Sequence, residues 1–346
     1  MFSRKTKARF HTSISSSLLC LFFWVTVTLT LAGCAKKVQI IPVEEFRFTQ
    51  QQVRKAALSE DAHLAAFIFE DASVSVWDIN EKRELYNWHA EALDEASLHL
   101  ISFSKNKAWM ALTGHWSTTL INLRSGEVVG SWHFSGIDPG ATASSTALPA
   151  LGDSALVGMT DGTVLRLNFD NGTALQYQHN TMKVLHVGYA SGDYAFSGGI
   201  DKHWFLWDLN KNEVVLEKLY KSRVTASVLD NRAQRVFISD ALNTHEIVDL
   251  TSYEVVSNLQ FMERFRFFRK GLFLENGDYL ITTSPKSVVT LWNANSGEEL
   301  ASWEIKRYSS EATTHAITLN NDGDVVTLSS DGVLQSWDYR SLITHK

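Results

Sequence analysis

An all-β fold made of seven similar units is predicted by two observations on this chain. The first is a strand ending that recurs seven times: Trp77-Asp78, Ile121-Asn122, Leu167-Asn168, Trp207-Asp208, Val248-Asp249, Trp292-Asn293 and Trp337-Asp338. The first members of these pairs are 44, 46, 40, 41, 44 and 45 residues apart. The second is the run between them. Strand-length apolar stretches alternate with turn signals, as in His63-Leu64-Ala65-Ala66-Phe67-Ile68-Phe69, the turn Glu70-Asp71-Ala72, and Ser73-Val74-Ser75-Val76-Trp77. A period of roughly 40–45 residues belongs to a unit of four strands stacked around an axis. Seven anchors therefore predict a seven-bladed β-propeller of four-stranded antiparallel blades over residues 49–346. Its strands are apolar on both faces, as expected of a sheet covered on both sides.

Before the first unit come two segments of different character. Residues 1–33 begin with Arg4, Lys5, Lys7 and Arg9 and continue into an apolar run from Leu18 to Leu31. A basic start followed by such a run is a secretory signal and is set aside in reasoning about the fold. The run ends in Leu31-Ala32-Gly33-Cys34, which resembles the bacterial lipobox. That resemblance implies acylation of Cys34 and cleavage just before it, hence a lipoprotein held to a membrane by acyl chains. The other reading of the run is a transmembrane anchor. Residues 34–48 would be the lipidated Cys, a polar tether and a strand, within 38–48, that closes the ring against the last blade. Closure removes exposed sheet edges.

Composition narrows the chemistry. The two cysteines are Cys20, inside the apolar run, and Cys34. A chain cut before Cys34 has no free thiol, so neither a Cys metal site nor a Cys nucleophile is available to it. Loss of the four basic residues leaves 28 basic against 38 acidic side chains, a formal charge of −10. Bulk charge of that sign with no basic run argues against nucleic acid as a partner.

Within the blades, Asp161-Gly162, Asp331-Gly332 and Asn276-Gly277 mark tight turns. Two units depart from the pattern at the turn between their second and third strands: the second has Gly114-His115 and the sixth Ser284-Pro285. Ser135 to Pro149, rich in Gly, Ala, Ser and Thr, reads as the longest loop. The tryptophans read as packing between blades.

The best-kept unit runs from His179 to Leu209, through Gly199-Ile200-Asp201-Lys202-His203-Trp204-Phe205-Leu206-Trp207-Asp208. On these residues the chain resembles the WD-repeat family of β-propellers, across about residues 49–346. The resemblance implies a buried hydrogen-bonded chain of His179, Ser197, Asp201 and Trp207, with Thr327, Asp331 and Trp337 as counterparts in the last blade. Propellers of the quinoprotein type place a Trp four residues after a Gly. Here Gly126 and Trp132, and Gly297 and Trp303, are six apart.

No catalytic motif emerges. There is no phosphate-binding Gly-rich loop and no His-Glu-x-x-His pair, and His99, His186 and His315 fall one by one on inner strands. No metal, cofactor or enzymatic step is expected. The most basic stretch, Glu263-Arg264-Phe265-Arg266-Phe267-Phe268-Arg269-Lys270, is a candidate partner patch through Arg264, Arg266, Phe268 and Arg269. Its other reading is a loop and first strand of the sixth blade, with Phe inward and Arg solvated. The function expected is a non-enzymatic protein–protein interaction platform. It would be anchored by lipid in the outer membrane of a bacterial envelope and face the periplasm. The alternatives are a small-ligand-binding or hydrolytic propeller with its site in the central channel, and a purely structural tether.

Overall fold

The computed structural model describes residues 38–93, 97–232, 234–263 and 266–343. The signal segment 1–33, the tether residues before 38 and Cys34 lie outside the described residues. Those described form seven four-stranded antiparallel sheets, the blades of a seven-bladed β-propeller. In blades 1–6 the four strands follow one another in the chain and in the sheet. The inner strands are Val53–Leu58, Leu100–Phe103, Ala143–Ala147, Val184–Tyr189, Val224–Asp230 and Lys270–Leu274, and Thr314–Leu319 in blade 7. Each inner strand lies against that of the next blade, and the seventh against the first. Each pairs within its sheet only with the second strand, so its other edge is turned to the axis.

Blade 7 is composite. Its outermost strand is Glu44–Arg47, which pairs antiparallel with Val333–Trp337 in the register Glu44↔Ser336 to Arg47↔Val333. The start of the propeller chain is thus sewn to its end. The backbone N–H groups of Val43 and Phe48 extend the seam, donating to Ser336 and Gly332 at 2.8 and 2.9 Å.

The core is divided into seven parts, one between each pair of neighbouring blades. The second strand of blade 1 shows how the sequence produces this. Leu64, Ala66 and Ile68 pack toward blade 2, and Ala65, Phe67 and Phe69 toward blade 7. Successive side chains of a strand point to opposite faces, and here both faces meet apolar neighbours, so all six residues are buried. Trp204, Trp207, Trp292, Trp303 and Trp337 are the largest of the fully buried side chains.

The recurring anchor pair has a local cause for each of its members. The first residue sits on the third strand where the register to the fourth shifts: at Trp77, Ile121, Trp207, Val248 and Trp292. The extra residues on the fourth strand, Leu85, Val129, Val215, Val256 and Leu300, are all apolar. The second residue closes the following turn with its side chain. Oδ1 of Asp78, Asn122, Asn168, Asp208, Asp249, Asn293 and Asp338 accepts a backbone N–H two or three residues ahead in all seven blades. Such Asx turns favour a short side chain with an accepting oxygen, which Asp and Asn share.

One expectation is overturned by the fold. Residues 143–147, inside the stretch read as the longest loop, are the inner strand of blade 3. Small residues are what that position demands, because seven inner strands converge on the axis. Ser144 and Ser145 reach across to the carbonyl of Val184 in blade 4 at 2.7 and 3.1 Å.

Candidate functional site

Alternating strand direction sorts the connections onto two faces. The starts of the inner strands, the turns between second and third strands, and the crossings from blade to blade share one face, called upper here. The remaining turns make the lower face.

The upper face is tied together by aspartates in the turns between second and third strands. Asp71, Asp161, Asp201 and Asp331 occupy them in blades 1, 3, 4 and 7, and in blade 5 Asp240 ends the second strand and accepts the turn's N–H groups from Leu242 to Thr244. These same five blades carry a register shift at the start of the inner strand. Blades 2 and 6, with Gly114-His115 and Ser284-Pro285, show neither. In three cases the carboxylate holds the crossing from the preceding blade. Asp161 accepts the N–H of Asp138 at 2.9 Å, Asp201 that of Thr181 at 2.8 Å, and Asp331 that of Tyr308 at 2.7 Å. The residues after Asp161 and Asp331, Gly162 and Gly332, have φ of 93° and 72°, a region glycine enters without strain.

The buried chain expected in blade 4 has a different membership. Asn180, not His179, joins Ser197 to Asp201. The Ser197 hydroxyl donates to Asn180 Oδ1 at 2.5 Å, and Asn180 Nδ2 reaches both Asp201 oxygens at 3.1 and 3.2 Å. His179 instead packs its ring against Trp207 with centroids 5.1 Å apart. Its Nε2 and the Trp207 Nε1 have no hydrogen-bond partner, and burial lowers the pKa of the imidazole. In the last blade Trp337 Nε1 does donate to Thr327 Oγ1, at 3.1 Å, whereas Asp331 takes the Ser329 hydroxyl.

The basic stretch before blade 6 divides between core and lumen. Arg264 lies outside the described residues. Phe268 is 1% exposed and stands between blades 5 and 6. Arg266 turns inward rather than into solvent. Its Nη1 meets Glu299 Oε2 at 2.6 Å and its Nη2 donates to Thr290 Oγ1 at 2.6 Å. The guanidinium stands 4.9 to 5.6 Å from the ring centres of Trp292, Phe261 and Phe268. Both residues pin the crossing from blade 5 onto blade 6, Phe268 by burial and Arg266 by its pairing with Glu299. Arg269 is exposed at the mouth of the channel.

Sequence reasoning missed what surrounds that mouth. Burial, and after it Lys270 and Lys55, push the pKa of His186 down to about 3. Burial, Lys55, Lys270 and Arg269 do the same to His315, also to about 3. Lys55 itself is lowered to about 8, by burial first and then by Lys270 and Arg269. These groups stand on the inner strands of blades 1, 4, 6 and 7, which are not all neighbours. Only a shared position around the axis lets them act on one another. His315 Nδ1 accepts the Ala56 N–H at 3.0 Å, which fixes the neutral ring with its proton on Nε2.

The upper face also exposes large apolar side chains on six separate connections: Trp116, Ile137, Met182, Leu242, Met262 and Tyr308. Met262 is 82% exposed. On the lower side the exposed Val214, Tyr253 and Val255 stand at the outer rim, at or beside the starts of fourth strands, Ile41 and Val43 just before the outermost strand of blade 7, and Leu151 and Tyr194 in or beside inner turns.

Among the described residues no three His, Cys, Asp or Glu side chains converge as metal ligands would, and no helix is long and apolar enough to cross a membrane. No protein-family model matches the chain, and no curated protein matches it either. The molecule is a seven-bladed β-propeller with exposed apolar side chains on its upper face and basic side chains in its lumen.

Proposed function

We propose that this protein is a protein–protein interaction platform, docking its partner on the upper face of the propeller. The observation that carries the reading is the set of exposed apolar side chains on six connections of one face. Apolar surface of that kind, framed by polar residues, marks interaction sites. The resemblance to WD-repeat propellers supports the same role, and the Leu31-Ala32-Gly33-Cys34 cluster supports lipid attachment of the platform to a membrane. Outer-membrane attachment facing the periplasm belongs to this reading, because Ala35 rather than Asp follows the lipidated Cys. No catalytic step is assigned to it.

The test is a cross-linking pull-down from detergent-solubilised membranes, comparing two double variants. Met182→Asp with Met262→Asp changes the upper face, and Leu151→Asp with Tyr253→Asp the lower. All four positions are exposed, so both proteins fold. The expected result is a partner recovered in stoichiometric amount by the wild type and the lower-face variant, and reduced at least about tenfold by the upper-face variant. Equal recovery by both variants would sink the reading. A Cys34→Ser chain tests the anchor separately: it should leave the membrane fraction while keeping its fold.

A further inference from the structure

The lumen carries charge of one sign in a chain whose acids outnumber its bases, 38 to 32. Asp230 is the single acid on the seven inner strands, and it stands at the lower end of its strand. At the upper end are Lys55, Lys270, the adjoining Arg269, His186 and His315. Neighbouring Arg54 is not part of the group, since it is engaged by Glu70 and the carbonyl of Leu98. Among the described residues Lys55, Arg269 and Lys270 make no ion pair, and no carboxylate acts on Lys55 or Lys270. Asp331 acts on His315, but its oxygens are taken by the Tyr308 N–H and the Ser329 hydroxyl.

Like charges gathered without a counter-charge oppose folding, and a structural role does not account for them. Each could be replaced by a neutral side chain without orphaning a partner. The two histidines are held neutral, and His315 keeps an Nε2–H to donate. We propose that the upper lumen binds a compact multivalent oxyanion, phosphate or polycarboxylate, through Lys55 of blade 1 and Arg269 and Lys270 of blade 6, with His186 and His315 as neutral partners. This goes beyond the docking of a protein on the upper face and does not depend on it.

The experiment uses the full chain in detergent at low ionic strength. Thermal melting and calorimetric titration are run with sodium pyrophosphate, with citrate, and with sodium chloride at matched ionic strength. The wild type is compared with a Lys55→Gln, Lys270→Gln double variant. Pyrophosphate or citrate should raise the wild-type melting temperature by roughly 5 °C at about a hundred times Kd, while chloride does not. In the double variant the shift should vanish and the affinity fall at least about tenfold, and without ligand that variant should melt no lower than the wild type. Affinity should also drop about tenfold between pH 7 and pH 9, as Lys55 loses its proton near 8. A response to pyrophosphate alone names a phosphate ligand, and a response to citrate alone a carboxylate. Two results would overturn the inference: no wild-type response to either anion at about 10 mM, or equal responses in wild type and variant.

Discussion

Arg266 owes its place to the residues that desolvate it. A guanidinium cut off from water must keep its counter-ion, and Glu299 supplies it at 2.6 Å with side-chain exposures of 10% and 6%. Removing one partner strands the other. Arg266→Ala should therefore lower stability by about 3–5 kcal/mol, read from chemical denaturation. The paired change Arg266→Leu with Glu299→Leu should recover most of that loss, because neither charge is then left alone. A single and a double variant of equal stability would refute the account. The histidines make a second residue-scale prediction. His186 and His315 are lowered to about 3 and His245 to about 4, burial being the main cause in each. The unfolded chain takes up protons near pH 6.5 while the folded chain does not. Stability is therefore complete above 6.5 and is lost as pH falls toward 4, by up to about 1.4 kcal/mol per pH unit for each histidine. Melting temperatures between pH 7 and pH 4 measure it, and His186→Gln should flatten the slope.

At the scale of strands and turns, what could be read from the chain is what repeats locally. The seven-blade count was legible because each anchor pair does its work within a few residues: its first member at a register shift in five blades, its second capping the next turn in all seven. The features that escaped are those assembled from afar. Nothing local says that Arg266 turns inward, since Glu299 lies 33 residues on. The lumen cluster draws its members from four inner strands spread between residues 55 and 315, each of which looks solitary in the sequence. Spacing across a crossing is also too coarse to tell His179 from Asn180, and one residue decides which of them meets Asp201. The stretch 135–149 was misread because small polar residues suit a loop and a crowded axis equally. The strand Glu44–Arg47 yields a prediction at this scale. Removing residues 38–48 should lower the melting temperature by several degrees, because it exposes the edge of Val333–Trp337 and takes Phe48 out of the side chains packed between blades 7 and 1. An unchanged transition would mean that the seam contributes nothing to stability.

For the propeller as a whole, a closed ring distributes stability evenly. Every blade has two neighbours, and each interface has its own apolar cluster, so no blade is terminal. The ring also accounts for how a chain with excess acid gathers cations at one point. Apart from Asp230 at a lower end, the inner strands carry no carboxylate, and their upper ends are left to Lys55, Lys270 and their histidine neighbours. Reading the upper face as a docking surface and the lumen as an anion site makes them two separable activities, and the two pairs of variants described above divide them.

The seam in blade 7 has a consequence in time. Six blades can each be completed from residues close together, as the polypeptide lengthens. The seventh cannot, because its outer strand is made first and the strand it must join is nearly the last to appear. Closing so long a loop is entropically slow compared with pairing within a blade. Until it happens, Glu44–Arg47 has no mate and the final blade has a bare edge. Maturation of this molecule should accordingly end in one late, all-or-none step, and the interval before it is when the chain is most exposed to proteases and to pairing with the wrong strand.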